Sequence, residues 1–264
     1  MIRTTSALSV VPAPLGGKII VLTGGAGIYG GSLVTELTDA GATLVLASRN
    51  VAALDQLAAS EQQRDRQVYA HHLDQADETS ILQLRDWVTG EFGRVDGLVN
   101  NAVLRTVKHI SDPLAGWDAS MKVNAIGLFA MHRAFGDAMA GCGSGSIVNI
   151  SSIQGMVGPD YTLYEGFDMD ALPDYFFHKA GMINLTRLFA AYYGPKGVRV
   201  NSLSPGGYQK DHPEVFVERY ARKTFLRRMA RDHDLGGPLI FLLSDAASYV
   251  TGVNLPVDGG YTAN

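Results

Sequence analysis

An apolar run, Ile19–Leu22, breaks into Thr23-Gly24-Gly25-Ala26-Gly27-Ile28-Tyr29-Gly30, and the chain then enters the helical pattern Leu33, Val34, Leu37, Ala40, stopped by Gly41. No other feature restricts the possible folds as much. A short continuous apolar run fits a strand buried on both faces, and apolar residues three and four apart fit a helix packed along one side. Glycines between the two let the backbone approach a pyrophosphate, while the helix N-terminus supplies amide donors and a favourable dipole. A glycine motif is weak evidence alone; the strand before it and the helix after it make it informative. Gly24, Gly27 and Gly30, with Ile28 and Tyr29 between them, are therefore the candidate phosphate loop.

The rest of the chain repeats this alternation. Strands are expected at Ile19–Leu22, Thr43–Ala47, Val68–His71, Gly97–Val99, Ile147–Ile150, Arg199–Leu203 and Asn254–Val257. Helices are expected near Gly30–Ala40, Ala52–Gln63, Glu78–Phe92, Trp117–Ala140, Tyr175–Tyr193 and Asp234–Leu243. Such a pattern builds a doubly wound parallel sheet with helices on both faces, an α/β fold. The 264 residues hold one such unit, with a tail over 1–15, a single domain over 16–264, and no linker or internal repeat.

With 46% apolar and 18% charged residues and a net charge of -4, the chain offers no strong field for nucleic acid or an anionic membrane. Its expected partners are small molecules and its own copies. Pro12 and Pro14 interrupt the N-terminal apolar patch Ala7–Val11, and no run is long enough to span a bilayer. A lone cysteine, Cys142, permits no internal disulfide and fits a reducing, cytoplasmic setting. No histidines, adjacent His71 and His72 included, show metal-ligand spacing, so no metal is expected.

Chemistry enters at Tyr175-Phe-Phe-His-Lys179. Residues four apart share a helix face, and there an ammonium can lower a phenol's pKa until it exchanges protons with a carbonyl or alcohol oxygen. Ser151 and Ser152 lie upstream. The second strand ends Ala47-Ser48-Arg49, without the carboxylate that would bind NAD's ribose hydroxyls and with a guanidinium available for a 2′-phosphate. NADP is therefore expected in preference to NAD.

The chain resembles the short-chain dehydrogenase/reductase family in its compact, Rossmann-type form, over essentially Leu15 to Tyr261. The matching motifs are Thr23-Gly24…Gly30, Leu73-Asp74, Asn100-Asn101-Ala102, Val123-Asn124, Ile150-Ser151-Ser152, Tyr175-x-x-x-Lys179, Arg199-Val200-Asn201…Pro205-Gly206 and Thr251-Gly252…Asp258-Gly259-Gly260. The resemblance implies that Asp74 lies by the adenine, Asn101 and Ala102 by its ribose, and Pro205, Gly206 and Tyr208 by the nicotinamide. It also implies a catalytic tetrad. Tyr175 looks like the general acid of reduction, and Lys179 would depress its pKa and hold the nicotinamide ribose. Ser152, facing opposite to Ser151, would hold the substrate oxygen, and Asn124 would anchor a water near Lys179. The family commonly forms dimers or tetramers, for which Phe129, Phe135, Phe189 and Tyr192 are candidate contacts.

Ile28 stands where compact members usually carry a glycine, Val103 replaces the glycine after Asn-Asn-Ala, and Lys210 replaces a frequent threonine. The gap from Ser152 to Tyr175, filled by Met156–Asp174, is longer than is usual for the family. That segment holds Asp160, Glu165, Asp168, Asp170 and Asp174 with Tyr161, Tyr164 and Phe167, and no Lys or Arg. It is expected to select a polar, hydroxylated cyclic ketone or alcohol and to disfavour anions. Residues 207–231, rich in arginine, are expected to close over the site from a solvated basic face. Two other readings remain: an idle dinucleotide-binding scaffold, which would bind cofactor without turnover, and a nucleotide-sugar epimerase or dehydratase, suggested by the glycine spacing and opposed by chain length.

Overall fold

The computed structural model describes residues 13–263. Its strands are β1 (Ile19–Thr23), β2 (Thr43–Ser48), β3 (Val68–His72), β4 (Gly97–Asn100), β5 (Gly145–Ile150), β6 (Val198–Pro205) and β7 (Asn254–Val257). They pair in parallel in the order β3-β2-β1-β4-β5-β6-β7. The helices are α1 (Gly30–Asp39), α2 (Val51–Gln62), α3 (Glu78–Phe92), α4 (Leu114–Met121), α5 (Leu128–Gly141), α6 (Pro173–Tyr193), α7 (Glu214–Lys223) and α8 (Gly236–Leu243).

Alternation along each strand divides the core. Ile20, Leu22, Leu44 and Leu46 pack with α1, α2 and α8, whereas Val21, Val45 and Ala47 pack with α3, α5 and α6. All seven of these strand residues are fully buried, which is why the strands read as continuous apolar runs. Each buried leucine contributes about 2 kcal/mol of transfer free energy.

All seven expected strands and six expected helices are present. The expected helix Trp117–Ala140 is α4 and α5 joined by a π-helical turn, Lys122–Gly127, that contains Asn124. Helix α7 falls in the arginine-rich segment 207–231, expected to close over the site and to carry a solvated basic helix face. Most of the expected tail lies outside the described residues, but Leu15 is fully buried in the core and donates its N–H to Ala40 at 2.9 Å. The chain winds from β1 outward to β3, then crosses to β4 on the other side of β1. The carboxyl ends of β1 and β4 therefore feed loops in opposite directions and leave a crevice between them.

Candidate active site

The crevice opens where β1 ends. Gly24 has φ +68°, and a Cβ there would meet Ala102 Cα at 2.9 Å; at Gly30 it would meet Gly25 O at 1.9 Å. Only glycine permits this close turn. Thr23 Oγ1 accepts from the N–H groups of Asn101 (3.0 Å) and Ala102 (2.9 Å), and Asn101 Nδ2 donates to the carbonyls of Thr23 and Gly24. The two strand ends are thereby held together. No side chain caps α1; Gly30 N–H donates to Gly27 O at 3.0 Å, and the next two N–H groups, of Gly31 and Ser32, remain donors for an anion.

One cavity of about 1060 Å³ runs along these strand ends. Single small-ligand pockets span roughly 300–1,000 Å³, so it can take a dinucleotide with a small substrate beside it. Gly24, Gly27, Ile28, Tyr29, Ser48, Arg49, Asp74, Asn101, Ala102, Pro205, Gly206 and Tyr208 all line it. Gly30 does not; it is buried behind the loop, where it lets α1 approach Gly25. Arg49 is exposed and, among the described residues, its side chain has no hydrogen-bond or ion-pair partner. An uncapped helix end and a free guanidinium on one wall fit a phosphorylated dinucleotide. Tyr29 and Tyr208 meet edge to face at 4.8 Å, and the buried Tyr29 hydroxyl donates to Gly206 O at 3.2 Å. Burial raises that phenol's pKa, so it stays protonated.

Ser152, Tyr175 and Lys179 line the other end. Helix α6 begins with Pro173 in its first turn, which places Tyr175 and Lys179 one turn apart. Lys179 Nζ lies 5.4 Å from the Tyr175 ring centre and donates to Ile150 O at 2.5 Å. Burial, and then the Arg105 guanidinium, hold its ammonium down to about 7. Ser151 Oγ is turned away, donating to Lys179 O at 2.9 Å, whereas Ser152 Oγ accepts from Gln154 N at 3.1 Å beside the cavity.

Asn124 is not on the cavity wall. Its Nδ2 donates to Leu104 O (2.7 Å) and Ser120 Oγ (2.9 Å), and its Oδ1 accepts from Leu104 N (3.0 Å). This amide ties the π-helical turn to the segment after β4. His178 is buried beside Tyr175, away from the cavity; burial, then Lys179, then Arg105, lower its pKa to about 3.

The segment 156–174 folds against α7. Ile153, Leu163, Phe216, Tyr220 and Met229 form a separate buried cluster flanked by Tyr164, Phe167 and Met169. Arg219 donates to the carbonyls of Thr162, Leu163 and Glu165, and Lys223 pairs with Asp160 at 2.5 Å. Two cations of α7, Arg219 and Lys223, thus bind the acidic segment, while Arg222 stays exposed beside Glu218. Tyr164, Asp168 and Asp170 reach the cavity; Tyr161, Glu165 and Phe167 do not. Arg105, five residues after Asn100, also lines the cavity, with Cζ 4.7 Å from the Tyr175 ring centre. Its one signal in the sequence was a cation just past the carboxyl end of β4, where the crevice had to lie.

Among known proteins, residues 26–262 match a family model described as enoyl-(acyl carrier protein) reductase. Cyclopentanol dehydrogenase of Comamonas sp. is 33% identical over 255 residues, 94% of this chain and 98% of that protein. A gluconate 5-dehydrogenase from Burkholderia cenocepacia, solved with NADP and tartrate, superposes with TM-score 0.86 at 27% identity, covering 96% of this chain and 98% of the other. An NAD⁺-bound xylitol dehydrogenase superposes with TM-score 0.85 at 26% identity, covering 93% and 99%. With the glycine crevice, the tyrosine–lysine helix and these relatives in agreement, the chain belongs to the short-chain dehydrogenase/reductase family and is an NAD(P)-dependent oxidoreductase.

Proposed function

We propose that this enzyme interconverts a ketone and a secondary alcohol with NADP, on a polar, hydroxylated cyclic substrate. One observation carries the reading: Ser152, Tyr175 and Lys179 line the same cavity whose far end carries Arg49. The dinucleotide, when bound, supplies or takes up the hydride. Tyr175 moves the proton, giving it to the carbonyl oxygen in reduction and taking it from the hydroxyl in oxidation. Lys179 Nζ stabilises the phenolate electrostatically and serves as a ribose donor, and Ser152 Oγ hydrogen-bonds the substrate oxygen as charge develops on it. Asn124 acts by position, holding Leu104 and the π-helical turn in place. The Arg49 guanidinium forms a charge-assisted contact with a 2′-phosphate.

Relatives named for a cyclic alcohol and for polyols support the substrate class. On the wall itself, Tyr164 offers a ring and Asp168 hydroxyl acceptors. Exposed Phe129, Leu188 and Tyr192 support assembly into a dimer or tetramer, whereas Phe189 and Phe135 are buried within one chain. Light scattering that finds only monomer at micromolar concentration would reject that assembly. A cytoplasmic setting rests on the lone cysteine, Cys142, which is exposed; a thiol that labels fully in intact cytosol supports it, and an oxidised one opposes it.

The direct test is a turnover screen with both cofactors over cyclic alcohols, polyols and keto acids, with Tyr175→Phe as control. The variant should bind cofactor yet turn over roughly a hundredfold or more slowly. Cofactor binding without turnover by the parent across the screen would favour an idle scaffold.

A further inference from the structure

Arg105 occupies an unusual position for a cation. Its guanidinium carbon lies over the Tyr175 ring, and its side chain shares the cavity with Tyr175, Ser152 and Lys179. Among the described residues it has no ion pair and no side-chain hydrogen bond, although it is exposed enough to reach one. A guanidinium over an aromatic face still directs its N–H groups outward in its own plane, a fork that fits the two oxygens of a carboxylate. Beside it lies buried Lys179. Two basic side chains thus face one small volume.

The wall carries five Asp against five Arg and Lys, but the carboxylates are engaged or placed away from Arg105. Asp160 is paired with Lys223, and Asp170 lies 3.5 Å from His109. Asp74 accepts from Ala76 N at the cofactor end. Asp168 and Asp211 are exposed and are balanced on the same wall by Lys108 and Lys210. Buried Asp174 accepts from Thr106 N at 3.5 Å, one residue from Arg105. Among the described residues no carboxylate pairs with Arg105, so its fork is free although the wall as a whole carries no net positive charge.

We propose that Arg105 is a carboxylate clamp and that the substrate is a small hydroxy or oxo acid, its acid group forked by Arg105 while its carbinol or carbonyl carbon faces Tyr175. This rests on the reading of Tyr175 as the proton-exchanging group. Because the guanidinium lies against the ring of the reacting tyrosine, acid group and reacting carbon belong to one small molecule, with only a short spacer or one ring between them. Binding the acid also relieves the repulsion between Arg105 and Lys179, so a neutral analogue forfeits both the fork and that relief.

The test compares matched acids and amides. With NADPH saturating, cyclohexanecarboxylate and cyclohexanecarboxamide are titrated calorimetrically into the parent, Arg105→Gln and Arg105→Lys. In parallel, with NADP⁺ saturating as hydride acceptor, kcat/KM is measured for 3- and 4-hydroxycyclohexanecarboxylates and their amides. The parent should prefer acid over amide at least tenfold in both measurements. Arg105→Gln should erase that preference, chiefly through KM, and Arg105→Lys should keep part of it. An acid-to-amide ratio near one in the parent, or the same ratio in Arg105→Gln as in the parent, overturns the clamp. So does loss of NADPH affinity in Arg105→Gln without substrate, which would make Arg105 a cofactor contact. Arg105-dependent acid binding without turnover of any panel member would instead support the clamp and refute the oxidoreductase chemistry proposed for Tyr175.

Discussion

Lys179 and Ile150 are joined by a 2.5 Å hydrogen bond from Nζ to the last carbonyl of β5, and Ser151 Oγ returns a 2.9 Å bond to the Lys179 carbonyl. Helix α6 is thereby clasped to the sheet at the position of the ammonium. The clasp fixes the distance from Lys179 to Tyr175, but it does not compensate fully for burying the charge.

This sets a pH signature. The folded lysine titrates at about 7 against an ordinary value of 10.5. From pH 7 to 10.5 the unfolded chain holds a proton that the folded chain has released, so this group's destabilisation is full below 7 and fades as pH rises. Lys179→Met should therefore stabilise the cofactor-free protein at pH 6, by about 2–4 °C in Tm per kcal/mol recovered. Its advantage should shrink toward pH 10.5 while turnover is lost. A variant less stable than the parent at pH 6 would contradict this account.

On the proposed reading, Arg49 should set the cofactor preference. A charge-assisted contact is worth about 1.5–3 kcal/mol, so Arg49→Ala should weaken NADP binding roughly tenfold to a hundredfold and leave NAD binding nearly as it was. Fluorescence titration of both reduced cofactors measures this, and an equal loss for the two would refute it.

Arg219 holds the wall of the substrate end through three carbonyls of the 162–165 stretch. Arg219→Ala should raise substrate KM roughly tenfold, by loosening that wall, with cofactor affinity unchanged. Steady-state kinetics and cofactor titration together test this; a KM equal to the parent's means that the wall stands without the arginine.

His132 should make the fold acid-sensitive. Its Nδ1–H donates to Leu128 O at 2.8 Å, and its Nε2 accepts from Asn149 Nδ2 at 3.0 Å, so a second ring proton would face another donor. Burial holds its pKa at about 4 against 6.5. The unfolded chain gains its proton first, so stability is lost as pH falls from 6.5 to 4, by about 3 kcal/mol for this group. His132→Gln should flatten that part of the denaturant-measured curve, above a residual slope from His178. An unchanged slope would place the acid sensitivity elsewhere.

The sequence by itself determined the sheet and the position of its crevice. Continuous apolar runs allow only strands covered on both faces, and the glycines at 24 and 30 leave room for nothing larger at the β1 turn. Tyr175 and Lys179 share a helix face by spacing alone. Tertiary structure decided what contacts the reacting end. Asn124 commits its side-chain amide to Leu104 and Ser120 from within a π-helical turn that has no signature in hydrophobic period. A one-dimensional charge pattern gives α7 a solvated basic face, and Arg222 does stay exposed, yet Arg219 and Lys223 also meet the acidic segment more than fifty residues earlier. Arg105 is one cation among many along the chain; only the packing of the β4 loop over α6 places it on the Tyr175 ring. Local periodicity specifies elements, whereas the partners of long, charged side chains are set by which loops share a sheet end, and that is fixed only when the strands pair.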